Sequence, residues 1–319
     1  MKRVATVGLT FFLVLCVSTA FAQKQVRLSI ATGGTGGVYY PMGGGMANII
    51  SKHIPYAEAT AEVTSASVDN CLLVGAKKAD MALIMADTGW DALEGKGKFK
   101  EKLPIMSLAV LYINNMHVVT LQGKGIDKVP DLKGKRVSTG SPGSGTEVKA
   151  LRVLEAYGLD PDKDMTRDRL GASESAGALK DGKIDAYFWD GGLPTASVTD
   201  LGATPGVKIK LISHADAVPK MTEKYGPLYF KGVIPAKMYP GQDQDVSIAR
   251  VSNLLICNKD MEDTVAYDIV KTLFEHKPEL VAVHRMAEEL ALEPQVDGSP
   301  LPFHPGAIKY FKEKGLNLK

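Results

Sequence analysis

The chain has 319 residues, of which 45% are hydrophobic and 23% charged, and its formal net charge is +2 at pH 7. An N-terminal leader carrying Lys2 and Arg3 takes that charge to zero on removal, so no electrostatic case exists for nucleic acid or an anionic membrane as a partner. About 297 residues then remain, enough for one large or two medium domains with cores of their own.

The leader is read from three features. Lys2 and Arg3 give a positive start, residues 6–17 are largely apolar and uncharged, and Ala20, Phe21 and Ala22 form a small-x-small cleavage pattern. The apolar run is shorter than the ~20 residues that span a bilayer. Export to the periplasm with cleavage after Ala22 is therefore expected, and no later segment is long and apolar enough to cross a membrane. Cys71 and Cys257 remain in the exported chain. Both sit in apolar stretches, which favours buried free thiols over a disulfide.

The pattern along the chain alternates strand and helix, pointing to α/β architecture with mainly parallel sheets. Residues 26–31 read as a strand running into glycines. A helix over 40–53 follows, with Pro41 in its first turn and Met42, Met46, Ile49 and Ile50 on one face. Residues 59–64 read as a strand, 68–78 as a helix and 81–86 as a buried strand ending at Asp87. The long apolar stretch 105–121 leads onward as a crossing strand. The same order recurs: strand 135–139, a Gly/Ser loop over 140–145, helix 146–157 with Val148, Leu151 and Leu154 inward, a short helix 173–181, strand 184–189 ending at Asp190, and strand 207–212. Residues 214–245 look irregular. The apolar run 246–257 is suited to return to the first half. Helices follow over 261–290, with Pro278 marking a break or a new start, and a last short helix reaches about Lys314.

Two glycine-rich loops carry the candidate chemistry. Gly33, Gly34, Gly36 and Gly37 follow the first strand and precede Tyr39 and Tyr40. Glycine lets the backbone approach a ligand, and a helix N-terminus favours an anion. A tight turn with no ligand is the plainer reading, and the two tyrosines weigh against it. The second loop holds Ser141, Ser144, Gly145, Thr146 and Glu147. Ser144 and Glu147 fit a capping box, while the surplus hydroxyls and loop N–H groups suit a carboxylate held without arginine. Ligands of open α/β sheets sit beyond the carboxyl ends of the strands. By that rule Ser67 after the second strand, Asp87 after the third, and Trp189, Asp190 and Gly191 at the matching strand end are further cleft candidates, as is His117 in the crossing strand. Each also has a bland role: Ser67 as a helix cap, Asp87 as the partner of an N–H or a lysine, His117 as a hydrogen-bonded core residue.

Catalytic and metal motifs are missing. Neither loop ends in Gly-Lys-Ser/Thr, G-x-G-x-x-G is not met at Gly34 or Gly143, and Pro142 spoils a G-x-S-x-G elbow around Ser144. The six histidines show no H-x-x-x-H spacing, so neither metal nor cofactor is expected.

Residues 33–41, 131–137, 141–147, 239–245 and 304–307 (HPGA) together resemble the TAXI family, the extracytoplasmic receptors of tripartite ATP-independent periplasmic (TRAP) transporters, and the resemblance runs in order along essentially the whole exported chain. It implies the periplasmic-binding-protein type II fold: two α/β lobes, residues 23–115 with 250–319 and residues 116–249, joined by crossing hinge segments with the ligand cleft between them. It also implies a monomeric binding protein, not an enzyme, that closes on a glutamate- or glutamine-like molecule or a dicarboxylate and delivers it to a permease, fused or not, driven by an ion gradient. Gly36, Gly37, Tyr39, Ser67, Ser144, Gly145, Thr146 and the neighbourhood of Trp189 to Gly191 are the contacts carried over from it. A receptor of an ATP-driven importer on the same fold, an exported enzyme, and a ligand-sensing partner of a membrane kinase are the other readings.

Overall fold

The computed structural model describes residues 25–318, so the expected leader and its cleavage point lie outside the described residues. In chain order the first half contains β1 (Val26–Ala31), α1 (Tyr39–His53), β2 (Ala57–Glu62), α2 (Ser67–Gly75), β3 (Met81–Met85) and α3 (Ala86–Glu94). The long strand β4 (Ile105–Leu121) leads to β5 (Arg136–Ser138), α4 (Gly145–Ala156), β6 (Thr166–Asp168), α5 (Ala172–Lys180), β7 (Ala186–Gly191), α6 (Ala196–Ala203), β8 (Ile209–Leu211), α7 (Val218–Tyr225) and β9 (Phe230–Ile234). Then β10 (Val246–Asn258) returns to the first half, where α8 (Asp263–Glu275), α9 (Lys277–Val283) and α10 (Pro305–Glu313) complete the chain.

Ten strands form one mixed sheet in the order β2-β1-β3-β10-β4-β7-β5-β6, with β8 on β4 and β9 on β10. Strand β1 pairs in parallel with β2 and β3, and β5 pairs in parallel with β6 and β7. These parallel sets are joined by antiparallel β10 and β4. Over Ile105–Asn115, β4 pairs with β10; from Asn115 onward its neighbours are β7 and then β8. Strand β10 likewise pairs with β9 up to Arg250 and with β3 from Asn253. The change of partners on both strands falls at the facing pair Asn115 and Arg250.

Local sequence explains most elements. All five residues of β3 are buried, as a strand covered on both faces requires. Helix α1 buries Met42, Met46, Ile49 and Ile50, the expected apolar stripe, and Pro278 stands in the first turn of α9. Cys71 and Cys257 are buried and free. Among the described residues no helix is long and apolar enough to cross a membrane.

The structure departs from the sequence reading in two ways. The irregular-looking stretch 214–245 contains α7 and β9, and β6, α6 and α3 were not anticipated. Strand β6 and helix α6 are short and hold few large apolar residues, so their periodicity is faint. The second departure is α4. Val148 and Leu154 are buried as expected and Leu151 half-buried, but Glu147, Lys149 and Arg152 are buried too. The helix is wedged between the two halves, and its charges are paired instead of solvated.

Candidate functional site

A cavity of about 270 Å³ lies between the halves, beyond the carboxyl ends of β1, β3 and β7. One wall comes from residues 33–39, 64–67 and Met85; the other comes from Gly140, Ser141, Ser144, Gly145, Thr146, residues 170–174 and residues 189–191, with Tyr112 of β4 between them. Of the sequence-expected residues, Gly36, Gly37, Tyr39, Ser67, Ser141, Ser144, Gly145, Thr146, Trp189, Asp190 and Gly191 line this cavity.

Backbone makes the walls approach closely. A Cβ on Gly37 would stand 2.7 Å from Trp189 Cη2, and one on Gly145 would stand 2.7 Å from Ser67 Oγ, each pair reaching across the cleft. The N–H groups of Val68 and Asp69, in the first turn of α2, donate to the carbonyl of Gly143 at 3.0 and 3.2 Å. Helix α2 is thus capped by a residue of the opposite half. Gly143 has φ +81°, and a side chain there would also meet Asp69 at 2.6 Å. Ala66, at the N-cap of α2, has φ 79° and ψ −144°, a conformation that costs a residue with a Cβ about 1–3 kcal/mol. The strain lies in the cavity wall, where such outliers gather at ligand clamps.

Ser144 is a helix cap first. Its Oγ accepts from Glu147 N at 3.0 Å and donates to Ser141 O at 2.7 Å. The reciprocal half of the expected capping box is missing, because Glu147 turns its carboxylate to Arg167 and Arg169. Ser67 Oγ accepts from Met85 N at 3.1 Å, and Thr146 Oγ1 accepts from Asp190 N at 3.3 Å. Trp189 donates Nε1–H to Thr195 Oγ1 at 2.9 Å. These bonds fix the wall residues.

The charge balance of the wall is the unexpected part. Its charged members are Glu174, which is exposed, and Asp190, which is buried; no lysine, arginine or histidine lines the cavity. Asp190 Oδ2 lies 2.8 Å from Lys149 Nζ in α4, with both side chains fully buried. The Lys149 ammonium also donates to Ala249 O, 3.1 Å away, and two further N–H groups remain for Asp190. The hydroxyl of buried Tyr112 has no hydrogen-bond partner among the described residues. Burial pushes the Asp190 carboxyl up to about 6 against the opposing pull of Lys149. Burial also raises the Tyr39 and Tyr112 phenols, which stay protonated donors. Tyr39 already donates to Asn253 Oδ1 at the irregularity in the β10–β4 ladder.

Asp87 and His117 are corrections to the sequence reading: both lie outside the cavity wall. Asp87 falls in the first turn of α3, where Tyr229 OH donates to Oδ2 at 2.8 Å, Thr88 N donates to Oδ1 at 2.8 Å and Arg152 Nη1 stands 3.5 Å away. Arg152 also pairs with Asp91, so a buried cation of α4 absorbs both aspartates of α3. His117 is held between Asn115 O and Tyr239 OH, at 2.8 Å each, and burial lowers it to about 3. It is a neutral core residue. Sequence reasoning missed Tyr112 and the 170–174 segment. Tyr112 was hidden inside the crossing strand, and Ser173 was assigned only to a helix start.

Comparison with solved structures places this architecture. A Listeria monocytogenes structure assigned to an L-cystine ABC transporter aligns with a TM-score of 0.51 and 18% identity over 83% of this chain and 95% of its own. An ancestral arginine-binding protein bound to arginine aligns with a TM-score of 0.50 and 14% identity over 83% and 97%. Both are named for transport or binding of a small molecule and neither for catalysis. The fold is accordingly that of the type II periplasmic binding proteins. These comparisons reach a periplasmic binding protein but not the TAXI receptors in particular. Residues 30–315 match the model of the NMT1-like family, and the chain belongs to that family.

Proposed function

We propose that the chain is an extracytoplasmic solute-binding receptor, periplasmic after loss of its leader, that closes over one small molecule and hands it to a membrane importer. The observation that carries this reading is the cavity built from both halves, with α2 capped across it by Gly143. Lobe I comprises residues 23–115 with 250–319, lobe II comprises 116–249, and the hinge lies where β4 and β10 exchange partners at Asn115 and Arg250. A ligand stabilises the closed form only through contacts that the open form lacks.

The wall favours a ligand with one anionic group and one amino group. Helices α1 and α4 both start at the cavity, and their first-turn N–H groups together with the serine hydroxyls suit one carboxylate. Glu174, the exposed carboxylate of the wall, can accept from an amino group, and Tyr39 and Trp189 supply apolar faces. A dicarboxylate would bring a second negative charge beside Asp190 and Glu174 with no cation in the wall to meet it.

An ATP-driven importer is the partner we favour, on the strength of the cystine ABC transporter neighbour. Delivery to a TRAP permease is the second reading, supported by the segments 33–41, 131–137 and 239–245 of the sequence. A neighbouring gene for an ATPase favours the first; a fused multi-helix permease without one favours the second.

Mass spectrometry of the molecule released from freshly purified protein, followed by calorimetry with that molecule, tests the receptor reading. One equivalent should bind without turnover. Gly37→Val, which drives a side chain into Trp189, should weaken binding at least about tenfold while circular dichroism stays unchanged. Unaltered affinity in that folded variant would reject the cavity as the site.

A further inference from the structure

A second cluster of chemistry lies far from the cavity, at the other end of α1. His53 is the last residue of that helix, His276 is the C-cap of α8, and Glu279 stands in the first turn of α9. The fold brings them together across more than 220 positions of sequence: His53 Nε2 is 2.7 Å from Glu279 Oε1, and His276 Nδ1 is 3.4 Å from the same oxygen. The two imidazoles stack face to face, with ring centroids 3.5 Å apart and planes 11° from parallel. Donor atoms of all three residues lie within 4.8 Å of one another, and among the described residues no other group of three or more His, Cys, Asp or Glu does this.

We propose that His53, His276 and Glu279 form a binding site for a divalent first-row transition metal, with zinc as the best-fitting ion. Two imidazole nitrogens and one carboxylate oxygen are three protein ligands of a four-coordinate zinc site, with water in the fourth position. Such a donor set suits zinc, copper or nickel and not magnesium or calcium. The surroundings agree. Two helices, α1 and α8, end here, and their C-termini carry the partial negative charge that favours a cation. All three side chains are half-buried, between 22% and 34% exposed, so the ion can enter from solvent. Lys52 holds only Oε2 of Glu279, at 2.9 Å, and leaves Oε1 to the imidazoles. Convergence on one ion requires rotation of one ring out of the stack, which the partial exposure allows. Bound metal would tie α1, α8 and α9 together about 20 Å from the cavity end of α1.

Isothermal calorimetry of the whole, chelator-treated protein with zinc chloride tests this directly. One equivalent should bind, with the melting temperature raised by zinc and not by magnesium. His276→Ala and Glu279→Gln should each weaken binding at least about tenfold. Each variant should keep the far-ultraviolet circular dichroism of the parent. Cobalt substitution should give visible d–d absorption that both substitutions abolish. Zinc binding of equal strength in the parent and both folded variants, or no saturable binding in the parent, would overturn the proposal. Neither result bears on the solute cavity, whose ligand is assayed separately.

Discussion

Three buried charges of α4 decide much of the local chemistry. Lys149 faces Asp190, Arg152 faces Asp87 and Asp91, and Glu147 faces Arg167 and Arg169. A buried pair is weak evidence for stability, but removing one partner strands the other. Lys149→Met should therefore destabilise the protein by about 3–5 kcal/mol in urea unfolding at neutral pH. The Asp190 carboxyl already stands above its unfolded value because of burial, and loss of Lys149 lifts it further. Its folded form then binds more protons than the unfolded chain, so stability falls as pH rises, and the deficit should be larger at pH 8 than at pH 5. Adding Asp190→Leu should recover most of the loss; no recovery would mean that Lys149 acts through packing alone.

At the scale of elements, helix starts are where sequence rules and tertiary contacts part. Ser144 caps α4 as its spacing from Glu147 suggests, and Ser144→Ala should lower stability by about 1 kcal/mol in denaturant titrations. An unchanged midpoint would show that Ser141 and the loop hold the turn without the hydroxyl. Glu147 does not reach back, because two arginines of the β6 segment outbid the N-cap N–H for its carboxylate. Helix α2 has no side-chain cap of its own and takes the Gly143 carbonyl from the opposite half instead. That contact comes from a residue more than 70 positions away and is absent from the helix in isolation.

Taken as a whole, the molecule is one sheet whose antiparallel centre carries two parallel wings. The second wing has its own apolar cluster around Val119, Tyr187, Tyr239 and Ile248, and two neutral histidines lie close to it. Burial lowers His117 to about 3 and His214 to about 4, below the unfolded value near 6.5. A lowered folded value means that the unfolded chain binds more protons in this window, so stability is present above pH 6.5 and is lost as pH falls. Asp190, raised to about 6, works the other way below that pH. The net loss between pH 7 and pH 5 should be roughly 2–3 kcal/mol, read from urea midpoints. His117→Asn with His214→Asn should abolish that loss and leave the opposite, weaker trend set by Asp190.

Strand and helix periodicity was legible because it depends on neighbours a few residues apart. The β1-loop-α1 unit, the buried β3 strand, the long β4 and the second Gly/Ser loop all follow from apolar spacing, glycine and proline. Short elements with few apolar residues, such as β6 and α6, carry too little periodicity to be read. Eleven of the thirteen expected site residues line one cavity, since strand ends and glycine-rich turns are marked locally. What the sequence by itself determined was the alternation of elements and the two loops that face the cleft. Tertiary structure alone decided which charges meet: that Asp87 belongs to Arg152, that Lys149 sits behind Asp190, and that His53 comes to rest on His276 and Glu279. Those pairings join residues from about 40 to more than 220 positions apart, and no local periodicity records which distant partner a buried charge will find.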